Sequence, residues 1–169
     1  MARGNVGLGP ADVRELAMGM FGTQKASKGT VEQVAEMIQS YYRRRQLDPQ
    51  EQELPGSEGY GWWLTEGSAK VYVFVQDTPS GPVLRITSPL VYIPESNLEA
   101  FYRKLLDVNA NLSSCALATH DQIVLVVAQR PTAMLDQEEL DALVWNVAFV
   151  ADLLDDQLAA EFNTRHFAG

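Results

Sequence analysis

The sequence holds a single cysteine, Cys115, and two histidines, His120 and His166. One thiol cannot build a disulfide framework or a cysteine zinc site. Two histidines would need carboxylates gathered from several elements to hold zinc, and no ligand spacing points to such a gathering. Asp152, Asp155 and Asp156 lack the spacing of a calcium loop and fall inside a helical pattern. Cations are scarce as well: 13 Lys and Arg stand against 22 Asp and Glu, for a net charge of −9. A nucleic-acid footprint and an anionic lipid surface both call for clustered cations, so neither partner is expected. Long apolar runs are missing too. Residues 123–128 form the longest strongly apolar run, far too short for a bilayer. Residues 1–10 are glycine-rich without the apolar centre of a signal peptide, and a cytoplasmic protein is expected.

Catalytic constellations are also lacking. Ser113, Ser114, His120 and Asp121 supply the residue types of a hydrolase triad. A triad needs the acid to orient the histidine from its far side, whereas neighbours at a hairpin tip project apart. His166, among Asn163, Thr164 and Arg165, reads as part of a frayed tail. The glycines within residues 56–61 do not precede a helix as a phosphate cradle would. The expectation is a protein without enzymatic activity, cofactor or metal.

What the chain does have is a strong pattern of secondary structure. With 169 residues and 46% hydrophobic content it can bury one real core. Residues 1–29 read as a flexible extension, with a short amphipathic helix over 11–21, and residues 30–163 as one domain. Thr30 and Gln33 form a capping-box pattern, followed by Val31, Val34, Ala35, Ile38, Tyr41 and Tyr42 at helical spacing to about residue 46. A loop with Pro49 and Pro55 leads to three strands, over 62–65, 70–76 and 83–88. Pro94 is expected in the first turn of a second helix, whose buried stripe would hold Leu98, Phe101, Tyr102, Leu105 and Leu106. Asn109 or Asn111 would supply its left-handed cap. Strands over 114–119 and 122–128 flank a tight turn, and Asp136 with Glu139 caps a last, long helix. Runs of strands rather than alternating β-α units predict an α+β fold, α-βββ-α-ββ-α, on a five-stranded antiparallel sheet.

The long helix has two apolar stripes. At 100° per residue, Leu140, Leu143, Val144, Val147, Ala151, Leu154 and Leu158 share one side. Ala142, Trp145, Phe149 and Leu153 share the other, and one chain's core can absorb only one of the two. In 70–76, Val71, Val73 and Val75 oppose Tyr72 and Phe74, and 123–128 is apolar on both faces. Both faces of the sheet are therefore expected to be covered, by a second copy of the chain or by helices on either side. Of the adjacent Trp62 and Trp63, one should face inward and one outward. Trp145, Phe149, Leu153, Trp62, Trp63, Tyr72 and Phe74 are the candidate partner or dimer contacts. Between residues 131 and 164 there are eight acidic residues and no Lys or Arg, a surface expected to favour basic partners.

The run Leu-Leu-Asp-Val-Asn-Ala-Asn-Leu from Leu105, the strand Gln-Ile-Val-Leu-Val-Val and the run Ala-Asp-Leu-Leu-Asp-Asp-Gln-Leu from Ala151, together with the element order, resemble the YbjN family of bacterial proteins. That family is similar in fold to the small dimeric chaperones of type III secretion. The resemblance implies a non-catalytic homodimer that holds a segment of a client polypeptide on apolar grooves and strand edges. A small-molecule or signalling sensor, with an apolar pocket beneath Trp62, Trp63, Tyr72 and Phe74, is the alternative.

Overall fold

The structure, a computed structural model, describes residues 29–55 and 60–167. Helix α1 (Val31–Arg44) is followed by strands β1 (Tyr60–Glu66), β2 (Ala69–Gln76) and β3 (Val83–Tyr92). Helix α2 (Leu98–Asn109), strands β4 (Ala116–His120) and β5 (Ile123–Pro131) and helix α3 (Gln137–Phe162) complete the order. This is the predicted α-βββ-α-ββ-α sequence. The helix expected over 11–21 lies outside the described residues. The strands form one antiparallel sheet in the order β1-β2-β3-β5-β4.

The helix starts follow local chemistry in two cases out of three. The Thr30 hydroxyl accepts the Gln33 N–H at 3.3 Å and the Gln33 side chain accepts the Thr30 N–H, a complete capping box. Asp136 accepts the Glu139 N–H at 2.8 Å. Helix α2 departs from expectation. It begins at Leu98 behind Asn97, which is left-handed at φ 58° and makes no side-chain cap. Pro94 cannot start it, because β3 runs on through Pro89 to Tyr92 and Ile93 N–H still donates to Gln122 O at 2.8 Å. A bulge between Pro89 and Tyr92 absorbs the proline's missing donor. Nor is either asparagine the left-handed cap: Ala110 ends α2 in a right-handed conformation. Asn109 instead accepts the Leu117 N–H at 2.7 Å and donates to Leu117 O at 3.1 Å, closing the outer edge of β4. The outer edge of β1 is covered by residues 52–54, through Leu54 N–H to Gly61 O and Trp63 N–H to Gln52 O.

One face of the sheet carries the core. Val71, Val73, Val75, Ile86, Val124 and Val126 are buried there, beneath Leu140, Val144, Val147, Ala151, Leu154 and Leu158 of α3. Burying each such side chain contributes about 1.5–3 kcal/mol. Helix α1 lies beside α3 and is tied to it by the Arg44–Asp141 ion pair. Helix α2 lies on the other flank, where Phe101 meets Phe162 edge-on at 4.9 Å and Lys104 pairs with Glu161 at 2.9 Å. All three helices therefore share one face. The sequence pattern called for both faces to be covered, and among the described residues only one is.

Polar groups fasten both a strand turn and the C-terminal tail to the rest of the fold. Asp152 accepts the Ser68 N–H at 2.8 Å and Asp155 accepts the Ser68 hydroxyl at 2.7 Å, fastening the β1–β2 turn to α3. Gly67, at φ 58°, has no room for a side chain, since a Cβ would lie 2.1 Å from Asp152 Oδ1. His166 is not in a frayed tail. It bridges to Val91, while Tyr92 N–H donates to Arg165 O and Phe167 N–H to Leu90 O, both at 2.9 Å. The tail thereby occupies the β3 edge beyond the end of β2.

Two outcomes follow from this packing. Hydrogen bonds from the Ser68 N–H and hydroxyl hold the Asp152 carboxyl below the ordinary aspartate value of 3.8. A carboxylate whose folded pKa is depressed adds stability above its unfolded pKa and loses it as pH falls through the folded one. Asp152→Ala should therefore lower Tm at pH 7. The gap to the wild type should close below pH 3.8, as followed by circular dichroism. Tyr42, in contrast, is wholly buried with a hydroxyl that has no hydrogen-bond partner among the described residues, and burial drives its pKa upward. Tyr42→Phe should be neutral or stabilising by up to about 1 kcal/mol in urea unfolding, because it removes a desolvated group that nothing satisfies.

Candidate polypeptide-binding surfaces

Strand alternation divides the aromatic residues between two sides of the sheet. Trp62 is 1% exposed and belongs to the core, so of the two tryptophans only Trp63 lies on the other side of the sheet. Trp63 stands opposite Tyr72, Tyr72 opposite Thr87, and Thr87 opposite Val127, forming a row across β1, β2, β3 and β5. Phe74 lies in the next row, opposite Arg85, and its ring is parallel to that of Tyr72 at 6.5 Å. Leu125 and Ile123 extend the apolar character along β5. These side chains are half-buried by one another, and no described helix lies over them. The result is a broad, open sheet face with aromatic residues at one end and aliphatic ones at the other.

The apolar pocket proposed beneath Trp62, Trp63, Tyr72 and Phe74 is not assembled, because Trp62 points away from the other three. The cavity that Trp62 does border has a volume of about 350 Å³ and is walled by Gln39, Arg43, Asp48, Gln50 and Glu53, a polar lining. It lies on the helical side of the sheet.

A second surface is the outer crest of α3. Its buried stripe is the one read from the sequence, with Leu143 only partly covered. The opposite stripe faces away from the sheet: Trp145 is 53%, Phe149 49% and Leu153 59% exposed. Trp145 and Phe149 stack with centroids 5.0 Å apart and planes at 9°. Half the area of three large side chains is thus offered to solvent in one strip.

The sequence missed a third feature, on α2. The five apolar residues expected to share its buried stripe divide between two sides: Phe101 and Leu105 are buried, while Leu98, Tyr102 and Leu106 are exposed. Their spacing of four was legible. Their exposure was not, because it follows from α2 leaning on β4 along one flank only.

The polar candidates do not come together as a reactive site. His120 and Asp121 sit side by side at the β4–β5 turn, both exposed, with Nε2 3.7 Å from Oδ2. Ser113 contributes its carbonyl to Asn146 at 2.7 Å. Cys115 is partly buried, and burial raises its thiol pKa. Among the described residues no three His, Cys, Asp or Glu are grouped to hold a metal ion. No described helix is long and apolar enough to cross a membrane.

Residues 58–169 match the family described as TY-Chap1, T3SS (YopN, CesT) and YbjN peptide-binding chaperone 1. The same fold occurs in two solved complexes. A chain of the ExsC–ExsE complex is 16% identical with a TM-score of 0.56, over 76% of this chain and 95% of that one. A chain of the heterodimeric ExoU–SpcU complex, from the type III secretion system of Pseudomonas aeruginosa, is 18% identical with a TM-score of 0.52, over 70% and 95%. No curated protein matches. The family match takes in all five strands, α2 and α3, and so both the open sheet face and the α3 crest; the chain belongs to the TY-Chap1 family of peptide-binding chaperones.

Proposed function

We propose that this chain is a non-catalytic cytoplasmic holder of a segment of another polypeptide and works as a homodimer. Residues 30–163 would form the working domain and residues 1–29 an extension to it. The observation that carries the reading is the pair of apolar surfaces left over once the core is complete. They lie on opposite sides of the molecule, so one can meet a second copy while the other meets a client.

The α3 crest suits the self-contact. A helix strip of Trp145, Phe149 and Leu153 can pack on its own two-fold copy, giving the self-complementary patch that a closed dimer requires. Stacked aromatic rings at the centre of such a patch are the side chains that dominate association energies. The open sheet face suits the client. It is wide enough for an extended segment and rich in half-covered rings, and it stays outward when two crests meet. Both sheet edges are already occupied in part, by residues 52–54 at Gly61 and Trp63 and by Asn109 at Leu117, which favours side-chain contact with the face over strand addition.

Size-exclusion chromatography with light scattering tests the dimer. The wild-type chain should run at twice the chain mass at micromolar concentration. The Trp145→Ala/Phe149→Ser variant should run as a monomer with an unchanged circular dichroism spectrum, its dimer Kd raised about 100-fold or more. A wild-type chain that stays monomeric at several hundred micromolar would remove the self-contact from this reading.

A further inference from the structure

The two sides of the molecule differ in charge, and not in the way the composition implies. Of the eight carboxylates in residues 131–164, seven are already engaged. Asp136 caps α3, Glu139 pairs with Arg130, Asp141 with Arg44 and Glu161 with Lys104. Asp152 and Asp155 hold Ser68, and Asp156 lies 3.5 Å from His166. Three of the eight are thus neutralised by Lys or Arg of other elements, and the charge of the rest stays on the helical side of the molecule.

The open sheet face is the reverse. None of the five strands places an Asp or Glu on this side, whereas β2 places Lys70 there and β3 places Arg85. Neither cation has a carboxylate partner among the described residues. Lys70 Nζ lies 5.2 Å from the Trp63 ring centroid and 5.7 Å from that of Tyr72. Arg85 donates to Gln129 Oε1 at 2.7 Å. Arg165 adds a third cation, 4.6 Å over the ring of Tyr92, which stands opposite Ile123. In a chain of net charge −9, the one broad aromatic face carries cations matched only by neutral groups.

We infer that this face receives an acidic amphipathic segment of the client: an extended stretch whose inward side alternates aromatic and carboxylate side chains. The inference rests on the polypeptide-holding reading above and names the chemistry of what is held. Aromatic side chains would lie on Trp63, Tyr72 and Phe74, and carboxylates would meet Lys70 and Arg85. Arg85 stands opposite Phe74, four residues along β2 from Lys70, a distance of roughly 14 Å. The two carboxylates of an extended client should accordingly be about four residues apart. The chain's own residues 1–28 are a poor match, since they carry Arg3, Arg14, Lys25 and Lys28 against Asp12 and Glu15. Single-stranded nucleic acid also stacks on aromatic sheets, but so few cations in so acidic a chain give weak phosphate neutralisation.

The test is fluorescence anisotropy on the full chain with a labelled peptide Ser-Glu-Ser-Phe-Ser-Glu-Ser-Phe-Ser and its Gln-for-Glu and Lys-for-Glu counterparts. At low salt the Glu peptide should bind at least tenfold tighter than the Lys peptide, with the Gln peptide between them, and added salt should narrow the spread. The Lys70→Glu/Arg85→Glu variant should reverse the order, while Phe149→Ser and deletion of residues 1–29 should preserve it. Equal binding of all three peptides, or a preference for Lys, overturns the charge selection and leaves polypeptide holding intact. Failure of all three to bind overturns both. Binding that appears only after residues 1–29 are deleted makes that segment the occupant and also overturns the inference. So does a labelled single-stranded oligonucleotide that binds tighter than the Glu peptide and is lost in the double variant.

Discussion

The structure depends on the docking of one 26-residue helix, α3, across the valine-rich face of β2, β3 and β5. This contact buries Leu140, Val144, Val147, Leu154 and Leu158 against Val71, Val73, Val124 and Val126, and it sets the position of everything else. Helices α1 and α2 fill the two flanks of α3, so all helical cover is spent on a single face. The other face cannot be reached by any described helix. A helix apolar on both sides and a sheet apolar on both sides, packed once, leave two apolar surfaces pointing in opposite directions. These exposed apolar surfaces are thus a geometric remainder of the core.

How the sheet ends are finished bears on what those surfaces can do. An unpaired strand edge is a template for another strand, and a chaperone-like protein could use it so. Here β1 is backed by residues 52–54, β4 is closed at Leu117 by the Asn109 carboxamide, and the tail around His166 takes the β3 edge beyond β2. Each of these consumes backbone donors and acceptors that an incoming strand would need. Backbone pairing, which is indifferent to sequence, is thereby restricted at these positions, whereas the side chains of the open face remain exposed.

Much of the architecture was legible because periodicity and capping are local. The order of elements, the Thr30 and Asp136 caps, the buried stripe of α3 and its exposed counterpart Trp145, Phe149 and Leu153 all follow from spacing along the chain. The failures are non-local. Pro94 is a good first-turn residue, but β3 pairs past Pro89 and pushes the start of α2 to Leu98. Asn109 has the right type for a left-handed cap, yet its carboxamide is drawn to an edge strand eight residues away. Apolar residues on both faces of a strand pointed to two covering layers. They cannot distinguish a face covered by the chain's own helices from one that no described helix covers, and here the two faces differ in that respect. The division of Trp62 from Trp63 was legible as alternation, but which of them enters the core depends on which side α1 and α3 occupy.

The charge distribution shows why composition is a weak guide to partners. An acidic run on one helix invites the expectation of a basic ligand, but seven of those eight carboxylates hold the fold together, three of them by pairing with Lys or Arg from other elements. What a partner meets is the charge left over after internal pairing, and on the open face that remainder is positive. Lys70 over two rings and Arg85 on a neutral amide retain most of their field, because an aromatic face or a carboxamide screens a cation far less than a carboxylate does. If two copies join through the α3 crest, their sheet faces point outward on opposite sides of the dimer. A client long enough to reach both would then bind the second face as an intramolecular step, at an effective concentration set by the length between its two acidic segments. Weak individual contacts on a shallow face are then sufficient for tight holding, and release requires only that one segment be drawn away.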